Sequence, residues 1–303
     1  MLDELSNPDL EQANALLTSL LKETEEWGGK LAGGRTRNLS AEAVNDLFTS
    51  RVSFGNPENT LVLLTEETFR ESGTELTNIY KQQMQSQYDF YYMTLTVDLV
   101  PERGARFWRL TCQLDFGPKG TGEPIIQSLF PTHQWRSVMN FGVGMDVGLN
   151  GNLNWDVGVD ASNLTALWNS VPDLKANIAS KDEFNAFLAI PAYKYELGHP
   201  EVLTVGEGNS ICYWRIQDQN LQKIGTAKFG IVFKVPKGTD SITLTGKVWA
   251  EPSMNWLTAN LEDVAAKLSE NFQNLLGQGN EAASRFARGT EKEWNPLTFP
   301  KAD

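Results

Sequence analysis

Cys112, Cys212, His133 and His199 are all the thiols and imidazoles this chain has, and no two of them are close in sequence. Zinc sites draw such ligands from tightly spaced pairs, so no metal and no cofactor is expected. His133 follows Pro131-Thr132 and His199 precedes Pro200, positions that suit turns. Cys112 and Cys212 each sit inside an alternating apolar run, which points to reduced core thiols and away from nucleophiles. The GxSxG elbow of serine hydrolases is missing, and Gly117-Pro118-Lys119-Gly120-Thr121-Gly122 lacks the spacing of a phosphate loop. Gly142 to Val147 partly matches a calcium-binding nonapeptide, but that motif works only as a stack of copies. One acid pair survives. Asp146 and Asp156 share the polar side of an alternating segment, as the carboxylates of a calcium site or a glycosidase would. The chain is therefore expected to be non-catalytic, with a carbohydrate-active enzyme as the alternative that this pair would carry.

The segment holding those aspartates alternates with period two. Met139, Phe141, Val143, Met145, Val147 and Leu149 lead into Asn150-Gly151-Asn152, and Leu153, Trp155, Val157 and Val159 follow. A three-residue loop with Gly151 left-handed keeps apolar opposite apolar, pairing Leu149 with Leu153 and Met145 with Val157. The other face is Asn140, Gly142, Gly144, Asp146, Gly148, Asn154, Asp156 and Gly158, small and polar. Two readings follow. Either this is an ordinary hairpin with one face on a core, or it is a membrane-inserting hairpin whose lipid face is Phe141, Val143, Met145, Val147, Leu149, Leu153, Trp155 and Val157.

Two further hairpins follow from the same test. Tyr91, Met93, Leu95, Val97 and Leu99 can face Phe116, Leu114, Cys112, Leu110 and Trp108 across the polar loop at Glu102 to Arg106. Phe229, Ile231, Phe233 and Val235 can likewise face Val248, Gly246, Leu244 and Ile242 across Pro236-Lys237-Gly238, so residues 229–248 are a second candidate for insertion. Trp249 falls out of phase with this last strand. It is expected on the outer face, which is either covered by a helix or, alongside Asp146 and Asp156, a binding surface.

Helical spacing marks the ends. Pro8 to Trp27 carries Leu10, Leu16, Leu17, Leu20 and Leu21 and stops at Gly28-Gly29, with Ser6 or Asn7 as cap. Ser40 to Ser50, capped by Ser40, and Glu75 to Gln87 read as further helices. Trp256, Leu257, Leu261, Val264, Leu268, Phe272, Leu275 and Leu276 predict one amphipathic helix ending at Gly277. Strands are expected at Ile125 to Phe130 and Ile211 to Gln217, and short helices at Ser162 to Asn169 and Ser180 to Leu188.

The expected fold is α+β: a mostly antiparallel β-sandwich, or a sheet of amphipathic hairpins, with N-terminal helices and a C-terminal helix packed on it. Residues 1–87 form the helical region, 88–250 the β body with a helical insertion at about 160–200, and 251–303 the C-terminal helix and tail. With 26 basic and 38 acidic residues, the net charge of −12 argues against nucleic acid as partner. Met1 to Leu10 carries Asp3, Glu4 and Asp9 in place of a basic start and apolar core, so a cytoplasmic protein is expected. A protein-interaction or structural role, with a protein partner or self-association, is the leading reading; a membrane enters only with the pore-forming alternative.

Overall fold

The computed structural model describes residues 7–31, 38–71, 76–130, 201–218, 221–223 and 225–300. Asp9 opens the first helix, α1 (Leu10–Leu31), its carboxylate accepting from the N–H groups of Glu11 and Gln12 at 3.0 Å each. The cap is thus two residues later than the sequence suggests, and the helix continues through Gly28-Gly29. Asn38, not Ser40, caps α2 (Leu39–Thr49) by accepting from Ala41 N–H. Ser40 is instead buried inside the helix and donates to the Asn260 carbonyl at 2.9 Å, tying α2 to the C-terminal region.

The N-terminal stretch is not helical throughout. Two strands, β1 (Arg51–Phe54) and β2 (Val62–Leu64), precede α3 (Glu66–Glu71) and α4 (Asn78–Ser86). Both pair antiparallel with β3 (Tyr88–Val100), β1 at its C-terminal half and β2 near its start. The remaining strands are β4 (Phe107–Gly117), β5 (Ile125–Phe130), β6 (Glu201–Val205), β7 (Ile211–Gln217), β8 (Thr226–Pro236) and β9 (Ser241–Pro252). After two helices, α5 (Met254–Asn260) and α6 (Glu270–Gly277), the chain ends in β10 (Arg288–Thr298).

The strands form two five-stranded antiparallel sheets. One runs β1-β3-β8-β5 with β2 also on β3; the other runs β10-β9-β4-β7-β6. The α+β, sheet-rich body expected from the sequence is thus present, but its strand neighbours differ. β3 does not pair with β4, nor β8 with β9. Each of these connections crosses from one sheet to the other, and the ladders are β3 with β8 (Tyr91 opposite Phe233) and β4 with β9 (Cys112 opposite Val248). The physical reason is that parity fixes which residues face inward, not which strand lies alongside. Apart from one position at the start of β4, every inward residue is the same under both pairings.

Those inward faces make the core. Leu95, Phe229, Ile231 and Phe233 of one sheet and Cys112, Leu114, Phe116, Trp214 and Leu244 of the other are fully buried. Ring contacts bridge the sheets, with centroids 4.8 Å apart for Trp214 and Phe229 and 5.0 Å for Phe116 and Phe233. Residues 229–248 therefore supply the middle of the core, which overturns their reading as an insertable hairpin. A bulge between Phe107 and Arg109 shifts the phase of β4: Phe107 takes the buried position, and Trp108, expected inward, is half-buried.

At the C-terminus the expected single helix is broken. Leu257, Leu261, Val264, Leu268, Phe272, Leu275 and Leu276 are all buried as their spacing implies, but on α5, a turn and α6. Glu23 of α1 accepts from Ser269 N–H at 2.8 Å, just before α6 begins. The expected tail is β10, an edge strand carrying Arg288, Glu291, Lys292, Glu293 and Pro296, residues that discourage edge-to-edge pairing. Arg288 joins this strand to the helices: it donates from Nε to the Ser50 carbonyl at 3.3 Å, bonds Asn14, and stacks over Phe48.

Phe229→Ala is expected to lower unfolding free energy by about 3–5 kcal/mol in urea titrations, the usual cost of emptying an aromatic core site. Trp108→Ala should cost well under half of that, and the reverse order would show that the bulge is misassigned.

Candidate functional site

Of the residues that sequence singled out for binding, one is described. Trp249 lies on the outer face of β9, as its phase required, but only 2% of it is exposed. Its indole N–H donates to Glu251 Oε1 at 3.2 Å. Trp249 is consequently a packed residue and not an exposed surface. Asp146 and Asp156, the apolar positions from Phe141 to Val157, both histidines, and the helices expected at 162–169 and 180–188 lie outside the described residues. Cys112 and Cys212 are buried and unoxidised, and burial pushes both thiols far above their ordinary values, so neither forms a nucleophilic thiolate.

Around Trp249 the outer face of the second sheet carries a polar group that the sequence reading passed over. Register places Glu251, Arg109 and Gln217 in one cross-strand row and Trp249, Thr111 and Arg215 in the next. Glu251 is 2% exposed and forms an ion pair with Arg109, whose guanidinium also stacks 4.7 Å from the Trp108 ring centroid. Both carboxylate oxygens of Glu251 are thereby used, one by Arg109 and one by Trp249. Thr111 is 1% exposed and its hydroxyl has no hydrogen-bond partner, and the Nε atoms of Arg109 and Arg215 are buried without partners. Lys247, in the row beyond, pairs with Glu291 at 2.7 Å. The available signal was the polar phase of β4 and β7: Arg109, Thr111 and Arg215 occupy outward positions on strands read only for their apolar phase.

A second polar cluster closes the opposite end of β4. Ser210, 5% exposed, donates to Glu123 and accepts from Lys119, which also pairs with Asp115. A serine beside a lysine is the skeleton of a Ser-Lys hydrolase, but that chemistry needs a neutral amine as base. Here Lys119 is ion-paired with both Asp115 and Glu123. The Ser210 hydroxyl and the Gly120 N–H hold the Glu123 carboxyl below its ordinary value, so the cluster is a clamp between the 117–124 loop and the turn after β6.

That turn also grips β5. Ile126 N–H donates to the Asn209 carbonyl at 2.9 Å, and Gly208 N–H donates to the Ile126 carbonyl at 2.8 Å. Leu129 N–H donates to Glu207 at 3.4 Å. Glu207 stands in an exposed turn, yet its carboxyl leans back onto β5, and partial desolvation there raises it above its ordinary value. β5 is the edge of the first sheet, β6 the edge of the second, and the two lie against one another. Residues 131–200 thus leave from one sheet edge and return to the other.

Among the described residues no helix is long and apolar enough to cross a membrane. No family model matches the chain, and no curated protein matches it by sequence. Several solved structures overlap it loosely. The delta-toxin of Clostridium perfringens is 10% identical over 67% of this chain and 78% of its own, with a TM-score of 0.30. A chain described as a pore forming protein is 6% identical over the same shares, with a TM-score of 0.31. The collagen-binding domain of a Staphylococcus aureus adhesin is 11% identical over 55% and 77%, with a TM-score of 0.18. Scores of this size assign no function.

Glu207 generates a pH prediction. A carboxyl raised in the folded state binds more protons there than in the unfolded chain, so its effect on stability is most favourable below the unfolded value of about 4.3. That contribution is lost as pH rises through the raised native value. Glu207→Gln is expected to remove this slope and to leave the protein slightly more stable at neutral pH, with solvent screening keeping the change small. Urea midpoints measured from pH 4 to 8 check it; an unchanged slope in the variant would place the titration elsewhere.

Proposed function

We propose that this protein inserts a β-hairpin into membranes and forms a pore by self-association, with residues 139–159 as the inserting segment. The observation that carries the reading is the pattern of that segment. Met139 to Leu149 is eleven residues long with an uncharged apolar face, the length of a tilted membrane strand, and Leu153 to Val159 resumes the same face after the loop. Asp146 and Asp156 share the opposite, glycine-rich face, the side a water-filled lumen would wet.

Two facts support this choice over the others. The competing hairpin at 229–248 is locked in the core, and Trp249, the anchor of the protein-binding reading, is buried. The place of the segment matters too. It lies between two edge strands, while the ladders β3 with β8 and β4 with β9 consist of described residues on either side of it. A hairpin in lipid has unpaired backbone at both edges, which only closure with hairpins from other copies satisfies. The partners are accordingly a lipid bilayer and further copies of this chain.

Release of a trapped dye from liposomes tests the reading, using the full chain and vesicles of several lipid compositions. Leakage is expected, with loss of at least tenfold in rate for Val143→Asp or Val147→Asp in protein that keeps its far-ultraviolet dichroism. These charges would face lipid at a cost of about 2–4 kcal/mol each near the midplane. Silence from the parent chain on every composition overturns it, as does undiminished leakage by both variants.

A further inference from the structure

We draw no further inference here: the strongest candidate, the apolar patch of Tyr92, Phe130 and Val232 on the outer face of the first sheet, is buried, and nothing among the described residues of the structure shows what covers it.

Discussion

The contact between the inner faces of two sheets is the constraint on which everything else in this molecule depends. Each long strand buries one alternating face, and the chain crosses between sheets at β3 to β4 and at β8 to β9, so sequence neighbours meet face to face and not side by side. The aromatic bridges, Trp214 on Phe229 and Phe116 on Phe233, lie in that gap. Hydrogen-bonded neighbours are consequently remote in sequence, as with Tyr91 and Phe233. Such non-local pairing makes folding wait on the closure of long loops, and it means neither half of the sandwich has a buried face without the other.

This explains what a reader of the sequence could and could not see. Period-two alternation is a local property of side chains, and it identified the inward residues of β3, β4, β8 and β9 with one exception at the bulge by Trp108. Strand partnership is a property of connection geometry, which alternation does not encode; a face-preserving pairing exists for almost any two alternating strands. β1, β2 and β10 escaped notice for different reasons. β1 and β2 are four and three residues long, too short to show a period, and β10 is an edge strand with buried side chains only at Trp294 and Leu297. The C-terminal helical spacing located every buried leucine but not the break between α5 and α6, since a turn that preserves the buried side leaves the pattern intact.

The polar patch was illegible for a related reason. Arginine and threonine at outward strand positions look like ordinary solvated residues until register brings them together, and only the cross-strand rows show that Arg109, Thr111 and Arg215 are neighbours with Glu251 and Trp249. Trp249 shows the opposite limit. Phase placed it correctly on the outer face, but phase says nothing of burial. Its indole, held by a buried carboxylate that is itself held by Arg109, belongs to a chain of contacts in which each group satisfies the next. Removing the carboxylate from such a chain would strand a cation, which is why the Glu251 group is better regarded as scaffold.

Where residues 131–200 join the sandwich also has physical content. A segment spliced into a central strand would have to break ladder bonds and uncover core to move, at a cost beyond the marginal stability of most domains. A segment spliced between β5 and β6 enters at the outermost strand of each sheet. The turn after β6 then becomes the element that keeps the two ends together, through Asn209 and Gly208 on Ile126 and Glu207 on Leu129, and the Ser210 and Lys119 clamp fixes that turn to β4. The polar contacts of Ser210, Lys119 and Glu207 thus stand where residues 131–200 join the two sheets, beside Ile126 and Leu129 of β5, which are buried in the shared core.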